Sequence, residues 1–330
     1  MTAVSVLNYG AKCDGVTNDT SSVVAAMASF GGRSGVVEFS GNMLIDPISV
    51  PGRVTLKGTA VGPFSIITAS NRQNYPVLIV NSAASAFVTL AGDAHLTDLA
   101  IFYPGQVTPS ASTPIPYPPT IVLQATNGSG NTVERVTLIN SYIGIVGCLS
   151  RGSIRNCLIG AFYAGIAIDH SEDFSVIQSV YHQVMWDIYA GLPYPQAIDA
   201  WVKSSSAALT IYRADAITVD DWGCFSVGVG ITLADSPDTA LAPRCGYGKF
   251  SNIEIDTALY GVNAISSNGV GRGYLFVGMN VNASLADMVL SKGGTQAPMI
   301  SWIGGCSRGG GARTSLNSGS LKCLGVTGIS

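Results

Sequence analysis

The sequence has little charge. Its 17 basic and 20 acidic residues make up 11% of 330 residues, against roughly 25% in an ordinary globular protein. The net charge is −3, and Lys and Arg form no stripe that could follow a phosphate backbone, which argues against nucleic acid as a partner. No uninterrupted apolar run reaches about 18 residues, so no membrane insertion is expected. A solenoid that hides one flank in an oligomer would explain the low charge and the hydrophobic fraction of 47%.

Metal-binding patterns are also missing. The chain has seven Cys but no C-x-x-C pair, and only three His, at positions 95, 170 and 182. This spacing predicts neither a metal site nor a cofactor. We expect the thiols to be reduced and to act as small buried core residues.

What the chain does contain is a distinctive opening. Tyr9-Gly10-Ala11 and Asp14-Gly15 are typical of tight turns, and a short helix is predicted from Thr20 to Met27. Asp19 or Thr20 is placed to cap that helix with a side-chain oxygen. Gly31-Gly32 then ends it, and Val36–Phe39 alternates as a strand.

This block resembles the opening of pectate-lyase-like right-handed β-helices, a family common among phage tailspikes and polysaccharide-degrading proteins. The matching pattern is V-x-x-Y-G-A-x-x-D-G-x-T-x-D-T, a helix, and then G-G-x-V-x-F. The resemblance implies an all-β fold, a right-handed parallel β-helix (a solenoid) with a short N-terminal capping helix.

Strand-like units recur later at solenoid spacing. Aligned on the residue before the second strand, they give Gly144, Gly165, Asp187, Gly228, Gly261 and Asp287, at intervals of 21, 22, 41, 33 and 26 residues. The short intervals predict bare coils of three parallel strands, and the long ones predict coils with inserted loops. Since no helical period recurs between the strands, a doubly wound α/β sheet is a poor fit.

The chain divides into three expected parts. Residues 1–40 form the strand-helix-strand cap, 41–303 the β-helix, and 304–330 terminal coils or a C-terminal cap. Two insertions are predicted, near 104–119, which holds six Pro, and near 190–208. Such loops either carry binding sites or cover a flank or a neighbouring subunit.

Candidate catalytic residues are acidic. Glycoside hydrolysis uses two carboxyl groups, and neighbouring coils of a solenoid stack about 4.8 Å apart. We single out Asp220 and Asp221, which follow the strand Ile217–Val219, and Asp187. Ordinary turn-forming Asp is the competing interpretation. Polygalacturonase-like enzymes also use adjacent Asp residues, but their N-T-D, G-H-G and R-I-K motifs are absent here.

Candidate substrate-binding residues are mostly aromatic, since flat rings suit the apolar faces of sugars. The set is Trp186, His182, Tyr181, Trp201, Arg213 and Trp222. The alternative is that these rings fill the interior or an oligomer interface. A lyase would need a cation and a base, for which Arg213, Lys203, His182 and Tyr181 are available, but we rank lyase below hydrolase.

The resemblance implies a phage tailspike-like protein that binds a bacterial surface polysaccharide and cleaves it as a glycoside hydrolase. A non-catalytic glycan-binding or structural tail protein is the first alternative, and a polysaccharide lyase the second. Expected partners are two further copies in a homotrimer and other phage tail or baseplate proteins. Met1–Val4 shows no basic signal-peptide region, which fits assembly in a host cytoplasm and a place in the virion.

Overall fold

The structure is a computed structural model of the whole chain. The description covers residues 2–59, 67, 71, 74–106, 112–124, 130–148, 151–182, 196–238, 246–265, 273–291, 297–309, 312–316 and 319–328. Two predicted site residues, Trp186 and Asp187, lie outside these ranges.

Short strands dominate the chain, as the alternating apolar pattern predicts. The first twelve are β1 (Thr2–Ser5), β2 (Asp14–Asn18), β3 (Gly35–Phe39), β4 (Asn42–Ile45), β5 (Ile48–Val50), β6 (Val54–Gly58), β7 (Val77–Val80), β8 (Val88–Ala91), β9 (His95–Phe102), β10 (Pro119–Gln124), β11 (Gly130–Cys148) and β12 (Arg151–Arg155). The rest are β13 (Leu158–Asp169), β14 (Ser171–Glu172), β15 (Phe174–Tyr181), β16 (Ala207–Ile211), β17 (Ala214–Asp215), β18 (Ile217–Phe225), β19 (Val229–Leu233), β20 (Gly248–Ala264), β21 (Tyr274–Leu290), β22 (Met299–Ser307), β23 (Ala312–Leu316) and β24 (Ser320–Leu324).

All of these strands except β14 and β17, which pair only with each other, pair in parallel along three ladders, and each ladder is one face of the molecule. The first face runs β1-β3-β6-β9-β11-β12-β15-β18-β20-β21-β22-β24. The second runs β2-β4-β7-β9-β11-β13-β15-β18-β20-β21-β22. The third runs β5-β8-β10-β11-β13-β16-β19-β20-β21-β23. The all-β prediction is confirmed, and each strand inside a ladder pairs with the strand before it and the strand after it in that ladder.

The core is a column inside the coils, because alternate side chains of each strand point inward. Equivalent positions stack from coil to coil, as in the inward row Val219, Phe250, Phe276 and Trp302. The Phe250 and Phe276 ring centroids are 4.5 Å apart, and the Trp302 side chain is completely buried. This repeated stacking of apolar residues supplies the main stabilisation of the fold.

A stack of residues with positive φ turns the chain from the first face to the second. Its members are Asp98, Arg135, Asn156, Gln178, Asp221, Asn252, Gly278 and Gly304. Non-Gly residues adopt this left-handed conformation at a cost, least for Asn and Asp. We call this row the corner stack.

The opening block folds with one difference from expectation. Helix α1 (Thr20–Ala28) buries Val23, Ala26 and Met27. The Asp19 carboxylate, however, makes no cap bond to this helix. It accepts the backbone N–H groups of Lys12 and Cys13 at 2.8 and 2.9 Å, so the predicted cap is wrong and Asp19 instead holds the preceding turn. A capping role for α1 at the end of the coils stays a prediction.

The second insertion contains helix α2 (Gln196–Ser205), whose Ile198 and Val202 pack on Phe162 at the corner between the second and third faces. The ladder position predicted for the strand around Asp187 is taken by β16, which pairs with β13. The apolar run that resumes the ladder therefore comes after the insertion. None of the helices in the described ranges is both long and apolar enough to span a bilayer.

The thiols are only partly as expected. Cys157 and Cys224 are buried, and burial raises the pKa of the Cys157 thiol to about 12. Cys13 and Cys306 are half-buried and Cys323 is exposed, so these three do not act as fully buried core residues.

Candidate active site

A notch on the second face is centred on Gly223 of β18. Strand pairing places Val180 and Glu254 beside Gly223 on the preceding and following coils. Along the chain, Asp221 lies on one side of it and Phe225 on the other. Because glycine has no side chain, the floor is open between these four residues. We call this cavity, of about 390 Å³, the Gly223 notch.

Asp221 enters the notch from the corner stack. Its φ is 57° and its side chain is exposed. Gln178 and Asn252, from the neighbouring coils of the same stack, also line the notch. The corner geometry, repeated coil after coil, therefore presents a row of polar side chains along one wall.

Glu254 is an outward residue in the middle of β20, flanked inside by the buried Ile253 and Ile255. Its Oε2 accepts a hydrogen bond from Asn280 Nδ2 at 3.0 Å. Its Oε1 lies 3.7 Å from the guanidinium Nη1 of Arg308. A donor and a cation from the next two coils thus face this carboxylate and orient it.

The wall opposite the corner stack is apolar and aromatic. Phe225 lies 5.2 Å, centroid to centroid, from the ring of His182 on the preceding coil. Burial lowers the pKa of His182, so its imidazole is neutral near pH 7. The two ring planes are inclined by 41°, so the pair forms an aromatic wall against which one ring can pack on a ring-shaped ligand.

The two carboxyl groups stand at a useful separation. Asp221 and Glu254 are one coil apart and offset by two residues along the strand, which places their Cα atoms about 8 Å apart. Glycosidases of both stereochemical classes place their two carboxyl groups about 5–9.5 Å apart, and side chains on Cα atoms at this spacing can reach that range. The notch can therefore hold a sugar against Phe225 with one carboxyl group on each of two sides.

Asp220, the neighbour of Asp221 in sequence, faces differently. It belongs to an outward row of the first face, where it is level with Ser251. Its Oδ1 accepts hydrogen bonds from Ser251 Oγ at 2.7 Å and Asn252 Nδ2 at 3.3 Å. Asp220 thus holds Asn252, which lines the notch, and the adjacent Asp pair does not form one catalytic site.

Two of the predicted substrate-binding rings are core residues. Tyr181 is 0% and Trp222 1% exposed, because both occupy inward positions of their strands. The Tyr181 hydroxyl donates to the carbonyl of Ala161 at 2.6 Å. Neither ring can contact a polysaccharide, so both are removed from the candidate site.

Trp201 and Arg213 lie away from the notch. Trp201 is on α2, near Tyr142 and Tyr163. Arg213 follows β16 on the third face, and its Nη2 lies 3.9 Å from Asp215 Oδ2. Among the predicted residues that the structure describes, Asp221 and Trp222 line the notch, although the Trp222 side chain is buried. His182 lies beside it against Phe225, and Asp220 lies behind its wall.

Glu254 and Gly223 are absent from the predicted set, although the sequence carries a signal for each. Glu254 is a charged residue at an outward position of a strongly alternating strand, in a chain that has few charges. A glycine inside a strand, as at position 223, marks a place where something can approach the backbone closely.

No protein-family model matches the sequence, and a search of curated proteins finds no match.

Solved structures do match over the length of the chain. The Dettilon tailspike protein has a TM-score of 0.63 at 12% identity, covering 100% of this chain and 65% of the tailspike. The A-module of the Azotobacter vinelandii mannuronan C-5 epimerase AlgE6 has a TM-score of 0.58 at 12% identity, covering 98% of each chain. An exopolygalacturonase from Thermotoga maritima has a TM-score of 0.51 at 13% identity, covering 99% and 92%. The expected likeness to pectate-lyase-like β-helices and phage tailspikes is confirmed for the fold.

Proposed function

We propose that the chain is a phage tailspike-like protein that binds a bacterial surface polysaccharide and cleaves it by glycoside hydrolysis in the Gly223 notch. The observation that carries this proposal is the pair of carboxyl groups, Asp221 and Glu254, on two sides of one open floor. The tailspike and polysaccharide-enzyme folds among the structural neighbours support the substrate class.

The surroundings of the two carboxyl groups suggest their roles. Glu254 faces the Arg308 cation and the Asn280 amide, which orient its carboxylate so that it can activate water as a general base. Asp221 then acts as the general acid that protonates the leaving oxygen. A general base that activates water and a separate general acid are the two roles of an inverting glycosidase, so this assignment predicts inversion at the anomeric carbon.

A second candidate function is glycan binding without cleavage. It is favoured by the corner stack, where Asn and Gln hold the same position as Asp221 on neighbouring coils. The turn alone could therefore account for an Asp at this position. Cleavage by a lyase is less well supported, because a lyase needs a cation that pairs with the uronate carboxylate. Arg308, the cation beside Glu254, is already paired with that residue.

The assembly stays part of the proposal. Tailspike neighbours support a place in the virion tail, with a homotrimer and other tail or baseplate proteins as partners. Light scattering in solution tests the trimer, and the mass of a single chain would reject it.

The activity is tested by incubating the protein with bacterial surface polysaccharides and measuring new reducing ends and the ultraviolet absorbance of unsaturated products. Hydrolysis predicts reducing ends without the absorbance, whereas a lyase gives both. Glu254→Gln should lower the rate by about 10²–10⁴-fold.

The matched control is Glu38→Gln. Glu38 is also an outward strand residue paired with a cation, Lys57 at 3.3 Å, and its side chain is 34% exposed against 39% for Glu254. It lies on the first face, so its substitution should leave the rate unchanged. Binding without cleavage by the unmodified protein would favour the non-catalytic candidate.

A further inference from the structure

A second cavity lies on the third face, beside the C-terminal end of α2. Its volume is about 300 Å³, at the low end of ligand sites in proteins. Tyr163, Tyr212 and Tyr260 stand around it, and the end of α2 closes one side. We call this cavity the aromatic groove.

Small side chains make the floor of the aromatic groove. Strand pairing sets Ala164 beside Ala207, and Ala167 beside Thr210, on successive coils. Larger outward residues follow one or two coils further on, with Tyr260 level with Val229. The depression therefore arises from residue size within a regular ladder.

One wall is Tyr163, which belongs to a cluster of three rings. Tyr142 and Tyr163 are stacked, with centroids 5.2 Å apart and planes inclined by 9°. Trp201 of α2 lies 6.3 Å from each of them. Tyr163 remains 44% exposed, so the cluster holds its ring in place while leaving it available to a ligand.

The polar side chains among the described lining residues all carry hydroxyl groups. Hydroxyls come from Ser204, Ser205, Thr232 and the tyrosines. Burial, and then the neighbouring Tyr163 and Asp169, raise the pKa of Tyr212, so its hydroxyl keeps its proton and can donate. No Asp, Glu, Lys, Arg or His is among the described residues that line this groove, in contrast to the Gly223 notch.

We propose that the aromatic groove is a separate, non-catalytic binding site for neutral sugar units of a polysaccharide. Sugar rings have apolar C–H faces that pack on exposed rings and hydroxyls that pair with hydroxyl groups. A charged uronate or phosphate would find no countercharge there. The proposal shares its ligand class with the proposed function but none of its residues, so a chain held here could be cleaved or left intact at the notch.

The test uses the full chain on an array of bacterial oligosaccharides, both neutral and uronic acid-containing. Tyr163→Ala should weaken binding to neutral glycans by about tenfold, while Tyr163→Phe keeps the ring and most of the binding. Ala167→Leu fills the floor and should have the same effect as Tyr163→Ala. Gly223→Leu, which blocks the notch, should leave this binding in place and abolish only cleavage.

Three results would overturn the proposal. One is the absence of any signal on neutral glycans, and another is unchanged binding in both Tyr163→Ala and Ala167→Leu. The third is loss of self-association in Tyr163→Ala by light scattering with unchanged glycan binding, which would assign the groove to a second copy of the chain. Failure of Glu254→Gln to affect cleavage would count against the proposed function but not against this site.

Discussion

Asp221 has a backbone role and a side-chain role, and substitutions can separate the two. Its backbone lies in the left-handed region, with φ of 57°, and its carboxyl group lines the Gly223 notch. Asn tolerates the conformation, Gly adopts it freely and Ala does not. Asn, Gly and Ala all remove the carboxyl group, so cleavage should fall by about 10²–10⁴-fold in all three variants.

Stability should separate the same three variants. A left-handed conformation costs an ordinary L-residue about 1–2 kcal/mol, so Asp221→Ala should lower the free energy of unfolding by about 1 kcal/mol relative to Asp221→Asn. Asp221→Asn should stay within about 0.5 kcal/mol of the unmodified protein. Urea titration at constant m-value measures these differences.

Asp173 provides the control, since its φ is 50° and its side chain is 59% exposed at another corner of the coils. Asp173→Asn, →Gly and →Ala should show the same order of stability and full cleavage. Full cleavage by Asp221→Asn would refute the catalytic role and leave Asp221 as a turn residue. Equal stability of the Ala and Asn variants at both positions would refute the backbone argument.

Other substitutions should have distinct effects. Gly223→Leu should abolish cleavage because it fills the notch. The urea midpoint should not change, because a Cβ at this position meets Phe225 and Val180 at no less than 3.5 Å. Loss of folding would contradict the open floor. Trp222→Ala should lower unfolding free energy by about 3–5 kcal/mol, and an unchanged midpoint would contradict its burial. Burial lowers the pKa of His182 from 6.5, so the unfolded chain binds this proton more readily and stability should fall as pH drops below 6.5. His182→Gln should reduce this loss of stability, measured by urea titration at several pH values. The same dependence of unfolding free energy on pH in the variant would contradict this.

Much of the fold was predictable because its signals are local. Alternating apolar residues define strands, and turn residues recur at coil spacing. The strand that follows β13 on the third face was not predictable, since spacing does not show which apolar run resumes a ladder after an insertion. Pairing of Ala207–Ile211 with β13 depends on contacts that only the folded coils make.

The site was harder to predict because neighbours in a strand face opposite ways. Asp220, Asp221 and Trp222 are adjacent in sequence, yet they lie on the first face, in the corner stack and in the core. Functional neighbours in a solenoid instead come from successive coils, as Asp221 and Glu254 do. The adjacent carboxylates of Asp220 and Asp221 therefore suggested one pair, whereas the structure places Asp221 and Glu254 in the lining of the same notch.

The most direct test of the paired carboxyl groups is the anomeric configuration of the first product, followed by proton NMR during cleavage of a polysaccharide substrate. Glu254 as the general base that activates water and Asp221 as the general acid predict inversion. A product with retained configuration would require one of the two carboxyl groups to act as a nucleophile and would contradict this assignment of roles.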